Sequence, residues 1–223
     1  CKQLNARVTF SNDTVIFGQR TIRISNGIDF SSIPLRQQIH TMENELHLIG
    51  VAEIHFWHGF DRIINGLKEY YTQNPTYKVY FHIVGNLSGE RERQEIEMPI
   101  HTYGLSPYVI LHGAKHGKEL DVLFEKADFA VGSLARHRSG IQNIKTLKNR
   151  EYAARGFGFI YSETDDDFEK MPYILKAPAD ETPIEISKVI AFCKKQTTPP
   201  QEIRDSIRNL SWKEQMKKVY DSI

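Results

Sequence analysis

The sequence predicts an α/β fold, a Rossmann-like parallel sheet with helices on both faces. Two observations carry this. Short apolar runs alternate with longer stretches whose apolar residues recur at helical spacing. Several of the runs also end on glycine, at Gly50, Gly85, Gly113 and Gly132. Strand and helix in steady alternation give a parallel sheet, which needs cover on both faces. Ligands of such sheets bind outside the carboxyl ends of the strands. Small residues there either admit a ligand or make turns.

The elements follow in order. Residues 8–10 and 21–25 read as short strands, and 46–51 as an apolar strand. Phe60, Ile63, Ile64, Leu67 and Tyr71 share one face of a helix over 60–71. Residues 78–84 form the next strand and stop at Gly85; 90–103 read as helical, interrupted near Pro99. A strand at 109–112, a helix at 118–126 and a strand at 129–131 come next. The spacing predicts a helix over 142–154 closed by Gly156 as its C-cap, then a strand at 157–161. A helix at 182–194 and two short helices finish the chain.

With 223 residues, 40% hydrophobic and 26% charged, the chain suits one large globular domain or two small ones. Lys and Arg number 29 against 28 Asp and Glu, so the basic excess of a nucleic-acid binder is absent. No apolar run approaches the roughly 18 residues of a membrane span, and no signal-peptide pattern opens the chain. The two cysteines, Cys1 and Cys193, do not make a disulfide framework and suit a reducing, cytoplasmic setting. Because residue 1 is Cys, the chain reads as a piece of a longer protein.

The charge is unevenly spread. Between 135 and 155 the chain carries Arg136, Arg138, Lys145, Lys148, Arg150 and Arg155 against the single acid Glu151. This stretch leaves a strand and enters a helix, whose N-terminus favours anions. It therefore reads either as a phosphate site or as a solvated basic face balanced by Glu163, Asp165, Asp166, Asp167 and Glu169. On a helix, Ile144, Leu147, Glu151 and Ala154 share an otherwise apolar face. A carboxylate there needs a partner: an internal salt bridge, or the adjacent hydroxyls of a ribose. Asp165 to Asp167 read as a turn or helix cap before a metal site. His55 with His58 and His112 with His116 lack the spacing and thiol partners of a zinc site.

A set of short segments then resembles the C-terminal, donor-binding domain of family-4-like (group 1) glycosyltransferases of GT-B architecture. Ile24-Ser25-Asn26-Gly27-Ile28-Asp29 looks like the family's IPNGVD segment, and Trp57-His58-Gly59-Phe60-Asp61 like its KGFD. Ile83-Val84-Gly85-Asn86 is similar to IVGDG, and Ala127-Asp128-Phe129-Ala130-Val131-Gly132-Ser133 to ADVFVLPS. Glu151-Tyr152-Ala153-Ala154-Arg155-Gly156 is similar to EAMACG, and Leu210-Ser211-Trp212 to the FSW that opens the last helix. The order and spacing of these segments carry the resemblance.

The resemblance implies residues 1–30 as the end of an N-terminal domain or interdomain segment, and 31–223 as a sugar-nucleotide-binding domain. It implies retaining transfer of a sugar from a nucleotide-diphosphate donor to an acceptor hydroxyl, with no metal and no further cofactor. Glu151 would hold the donor ribose, Gly85 would lie beside the nucleobase and ribose, and Ser133 to Gly140 would border the donor sugar. The position of the family's first glutamate is Asn143, that of its arginine is Val51, and that of its lysine is His58. Candidate donor-binding residues are therefore Gly50, Gly85, Ser133, Arg136, Arg138, Gly140, Asn143 and Glu151. His58 and Lys148, with a helix start near Gln142, are the candidates to stabilise the departing diphosphate. The implied acceptor is a polysaccharide, a lipid-linked sugar or a small molecule, held by an N-terminal domain, with peripheral membrane association of the longer protein at the inner face. Alternatives are a catalytically inactive binding or scaffold module of the same fold, and a sugar-nucleotide epimerase of GT-B type.

Overall fold

The computed structural model of the chain describes residues 6–37 and 39–222, so Cys1 lies outside the described residues. A small sheet opens the chain: β1 (Arg7–Thr9), β2 (Val15–Ile16) and β3 (Gln19–Arg23), with β3 between the other two. The main sheet has six strands, all parallel: β4 (Glu45–Val51), β5 (Lys78–Val84), β6 (Val109–Leu111), β7 (Phe129–Val131), β8 (Phe159–Tyr161) and β9 (Ile174–Lys176). Their spatial order is β6-β5-β4-β7-β8-β9.

Helices connect the strands: α1 (Phe60–Tyr71), α2 (Glu90–Glu92), α3 (Met98–Thr102), α4 (Gly117–Glu125), α5 (Leu147–Ala154), α6 (Ile186–Lys195), α7 (Pro200–Ser206) and α8 (Trp212–Tyr220). A π-turn at Arg93–Glu97 joins α2 to α3. The interruption expected near Pro99 takes the form of that π-turn, which ends two residues before the proline.

Side-chain alternation builds two cores. Leu46 and Leu48 face one layer and Ile49 the other. On the first side, Ile63, Ile64 and Leu67 of α1, Ile100 of α3 and Ile186 and Val189 of α6 pack on the sheet. On the second, Phe124 of α4, Tyr152 and Ala153 of α5 and Ile203 of α7 do so. The sheet is thus covered on both faces, as the sequence predicts. The chain's early and late segments also meet: the Ile28 N–H donates to the Leu210 carbonyl (2.9 Å) and the Trp212 N–H to the Ile28 carbonyl (3.3 Å). No helix among the described residues is long and apolar enough to cross a membrane.

One predicted element needs correction. The helix expected over 142–154 starts five residues later, at Leu147. The intervening residues pair across the site instead: the Thr164 N–H donates to the Gln142 carbonyl (2.7 Å) and the Ile144 N–H to the Thr164 carbonyl (3.0 Å). Thr146 then caps α5, its hydroxyl accepting from the Asn149 N–H. The apolar helical face of Ile144, Leu147, Glu151 and Ala154 is therefore not formed: Ile144 precedes the helix and Leu147 is 58% exposed. The sequence predicts no strand at β2 or β9: β2 has two residues, and β9 is an edge strand with no buried residue to mark it.

Candidate functional site

The carboxyl ends of the central strands are laced together by main-chain bonds. The Leu134 N–H donates to the His58 carbonyl (2.9 Å), and the Ser162 N–H to the Ser133 carbonyl (3.0 Å). Tyr152 of α5 fastens the floor, its hydroxyl accepting from the Val51 N–H and donating to the Val131 carbonyl, both at 3.1 Å. This rigid frame holds a group of polar side chains that satisfy neither one another nor the backbone. Ser133 Oγ, Arg136 Nε, Lys148 Nζ and both carboxylate oxygens of Glu163 are shielded, yet none has a hydrogen-bond partner among the described residues. Buried polar atoms are ordinarily paired, so five such atoms around one strand-end region mark a place built to receive something.

Electrostatics ties the group together. Burial pushes the Lys148 ammonium down to about 7, with Glu163 opposing the shift and Arg136 adding to it. Burial pushes the Glu163 carboxyl up to about 7, against the pull of Lys148 and Arg136. His58 is buried, and desolvation, followed by the charges of Lys148 and Arg136, lowers it to about 2. Its Nδ1 accepts from the His55 N–H (2.9 Å), which leaves the proton of the neutral ring on Nε2. His58 can offer that N–H but no charge near neutral pH. The Phe60 ring lies under both, 5.8 Å from the His58 ring and 5.7 Å from Lys148 Nζ.

Of the sequence-predicted residues, Ser133, Arg136, Lys148 and His58 come together here. Arg136 reaches the group from the turn at Arg136–Ser139 and lies 5.6 Å from the Trp57 ring centre. Gly140, with φ of 70°, closes that turn in the left-handed region that favours glycine. Asn143 is exposed and bridges to Thr164, next to Glu163. Arg138 is committed elsewhere: it forks onto Asp61 at 2.7 and 2.9 Å and also binds Glu181. Burial opposes its charge, but these carboxylates outweigh burial and raise its pKa. Glu151 is half-exposed on α5 and accepts from Arg155 Nε at 2.9 Å, the salt-bridge alternative. Gly85 has φ of 134°, and a Cβ there would collide with the Ala52 carbonyl, so the turn beside it demands glycine. Gly50 lies inside β4, where a Cβ would come within 2.7 Å of Phe60 Cζ; packing accounts for it.

Sequence reasoning missed Glu163. The sequence places this residue among the acids balancing a basic face, although it lies two positions past a short apolar strand, at the end of the sheet where ligands bind. The neighbouring Asp165 and Asp167 are a different matter. Both bind the fully buried Arg150, Asp165 with two contacts of 2.6 and 3.1 Å. His112 pairs with His82 (2.9 Å), which in turn pairs with His47 (3.0 Å).

No protein-family sequence profile matches the chain, and no curated protein matches it by sequence. Solved structures do match by shape. The chain is similar to sucrose-phosphate synthase of Thermosynechococcus elongatus, with a TM-score of 0.67 over 92% of this chain at 18% identity. It is similar to HepE of Anabaena in complex with UDP, with a TM-score of 0.66 over 92% of this chain at 15% identity. A third match is the C-terminal domain of a group 1 family glycosyl transferase, LpcC of Francisella tularensis, at a TM-score of 0.55 and 15% identity. The fold is that of a GT-B C-terminal domain. The chain spans 53% of the synthase and 58% of HepE, but 96% of the LpcC domain, of which it matches 81% of its own length. The chain places its shielded polar group past the carboxyl ends of β7 and β8, where a parallel sheet offers its ligand crevice.

Proposed function

We propose that this chain is the sugar-nucleotide-binding half of a glycosyltransferase that moves a sugar, with retention of configuration, from a nucleotide diphosphate to an acceptor hydroxyl. The observation that carries the reading is the group of shielded, unpartnered Ser133, Arg136, Lys148 and Glu163 atoms at the strand ends of a GT-B-type domain. HepE, which shares the fold, is described in complex with UDP and with UDP-glucose, which supports a nucleotide sugar as ligand.

Each residue has a role under this reading. Lys148 and Arg136, with the free N–H groups at the start of α5, take the diphosphate. Those same donors stabilise the charge that grows on the leaving phosphate as the glycosidic bond breaks, which serves in place of a metal ion. His58 adds one N–H from Nε2. Glu151, half-exposed and engaged on one oxygen by Arg155, accepts from ribose hydroxyls. Gly85 leaves space beside the base, and the Ser133–Gly140 loop borders the sugar. A second domain holds the acceptor, a polysaccharide, a lipid-linked sugar or a small molecule. The reading of residues 1–30 as the end of an N-terminal domain or interdomain segment, and 31–223 as the donor domain, belongs to the same proposal.

The test is a thermal-shift panel of UDP, GDP, ADP and their common sugars on the wild type and on Glu151→Ala. A nucleotide at about 100 times its Kd stabilises by roughly 2.7 kcal/mol, several degrees of Tm. One nucleotide should produce that shift, and Glu151→Ala should lose it while keeping its unliganded Tm. No shift at millimolar nucleotide overturns the reading. A neutral His58 and a diverted Arg138 favour a second reading, a domain that binds nucleotide sugar without transfer. Binding without product, measured when an acceptor-holding domain is present, identifies it.

A further inference from the structure

The donor-site reading leaves Glu163 without a task. The residue is 2% exposed, and neither of its carboxylate oxygens has a hydrogen-bond partner. Its backbone is held on every side. The Lys176 ammonium binds its carbonyl, the Ser162 N–H donates to Ser133, and Thr164 bridges to the 142–144 segment. The side chain therefore has little freedom to leave. The charged groups facing it are Lys148 from α5, Arg136 from the turn after β7, and Asp165 from its own segment. A structural ion pair would close Glu163 onto Lys148; instead both remain bare.

The chemistry of the bare atoms selects the occupant. A diphosphate satisfies Lys148 and Arg136 but is repelled by a carboxylate. Hydroxyl groups satisfy it, since an ionised carboxylate accepts only. Ser133, whose carbonyl takes the N–H of Ser162 next to Glu163, can donate and accept through Oγ, and Lys148 can donate. Carboxylate, hydroxyl and ammonium together form the complement of a polyhydroxylated ring. We propose that Glu163 is the specificity-determining residue for the donor sugar: it accepts hydrogen bonds from the hydroxyls of a neutral sugar and rejects a sugar that carries a carboxylate. This rests on the donor-site reading above. All the atoms are shielded, so the sugar reaches them by displacing side chains rather than by filling an open cup.

Titrations of the 223-residue chain test the inference. The probes are UDP, UDP-glucose, UDP-galactose, UDP-N-acetylglucosamine and UDP-glucuronate, or the GDP series if GDP gives the nucleotide shift. The tightest neutral sugar nucleotide should bind at least about tenfold more tightly than the acidic one, the scale of a charged hydrogen bond. Glu163→Gln should weaken that neutral sugar nucleotide by about tenfold, leave the bare nucleotide bound at least as tightly as before, and narrow the neutral-to-acidic gap. Its unliganded Tm is read alongside. Equal binding of neutral and acidic sugars by the wild type, which needs no variant, overturns the proposal. So does a Glu163→Gln variant that weakens bare nucleotide and sugar nucleotide alike, the mark of a structural role. If no nucleotide binds, the donor-site reading itself fails and this one falls with it.

Discussion

Lys148 brings an ammonium into a shielded place and finds no acceptor there. The cost shows in its titration, lowered by burial to about 7, and the carboxyl of Glu163 is raised to the same value by its own burial. The sign for an anionic ligand follows directly. As pH rises through about 7, Lys148 loses its positive charge and Glu163 gains a negative one, and both changes oppose a diphosphate. Nucleotide affinity should therefore fall between about pH 6 and about pH 8.5, with proton uptake on binding visible by calorimetry in buffers of different ionisation enthalpy. Lys148→Met should lower nucleotide affinity by about tenfold and flatten that profile. His58 should contribute nothing to it, because it stays neutral throughout. At this scale the sequence discloses the cations, since Arg136 and Lys148 stand in a stretch nearly free of acids. It hides Glu163, because an acid at the end of a strand and an acid on a surface look alike until burial separates them.

The element that organises the site is α5, and its register depends on two neighbours. Thr146 caps it, and Arg150 fastens it by hydrogen bonds to the Asn26 carbonyl (3.1 Å), Ser25 Oγ (2.8 Å) and Asp165. Arg150 and Asp165 are both fully buried, so removing one partner leaves an uncompensated charge. Arg150→Met should cost about 3–5 kcal/mol in urea unfolding, and Thr146→Ala about 1 kcal/mol. The basic stretch that reads as one helix face thus divides by role: Arg150 is structural, Arg138 clamps a turn to α1, and Arg136 and Lys148 face the site. Helical spacing alone could not find the start of α5, because residues 142–144 have helix-compatible side chains but take their main-chain partners from Thr164. That competition is between distant segments, which a local period does not register.

For the whole molecule, the alternation of strand and helix is legible because the central strands are short and mainly apolar. Strand order was not, since it depends on which crossover lies on which face. The chain spans little more than half of the GT-B structures first compared, sucrose-phosphate synthase and HepE. Its small opening sheet exposes Val8, Phe10, Val15 and Phe17, the last at 86%. We expect the 223-residue chain to bind a nucleotide sugar and yield no glycoside when incubated with donor and candidate acceptors. Product from this chain alone would show that it carries its own acceptor site.

The two tryptophans have different neighbours. Trp57 has the Arg136 guanidinium near its ring, whereas Trp212 covers Gly27 where the early and late segments join. A cation close to an indole alters its emission, so a ligand that draws Arg136 away converts occupancy into a change of fluorescence. Trp212 has its own surroundings, packed on Gly27, and each single Trp→Phe variant assigns the signal to one indole. The unlabelled chain thus carries its own optical gauge of loading.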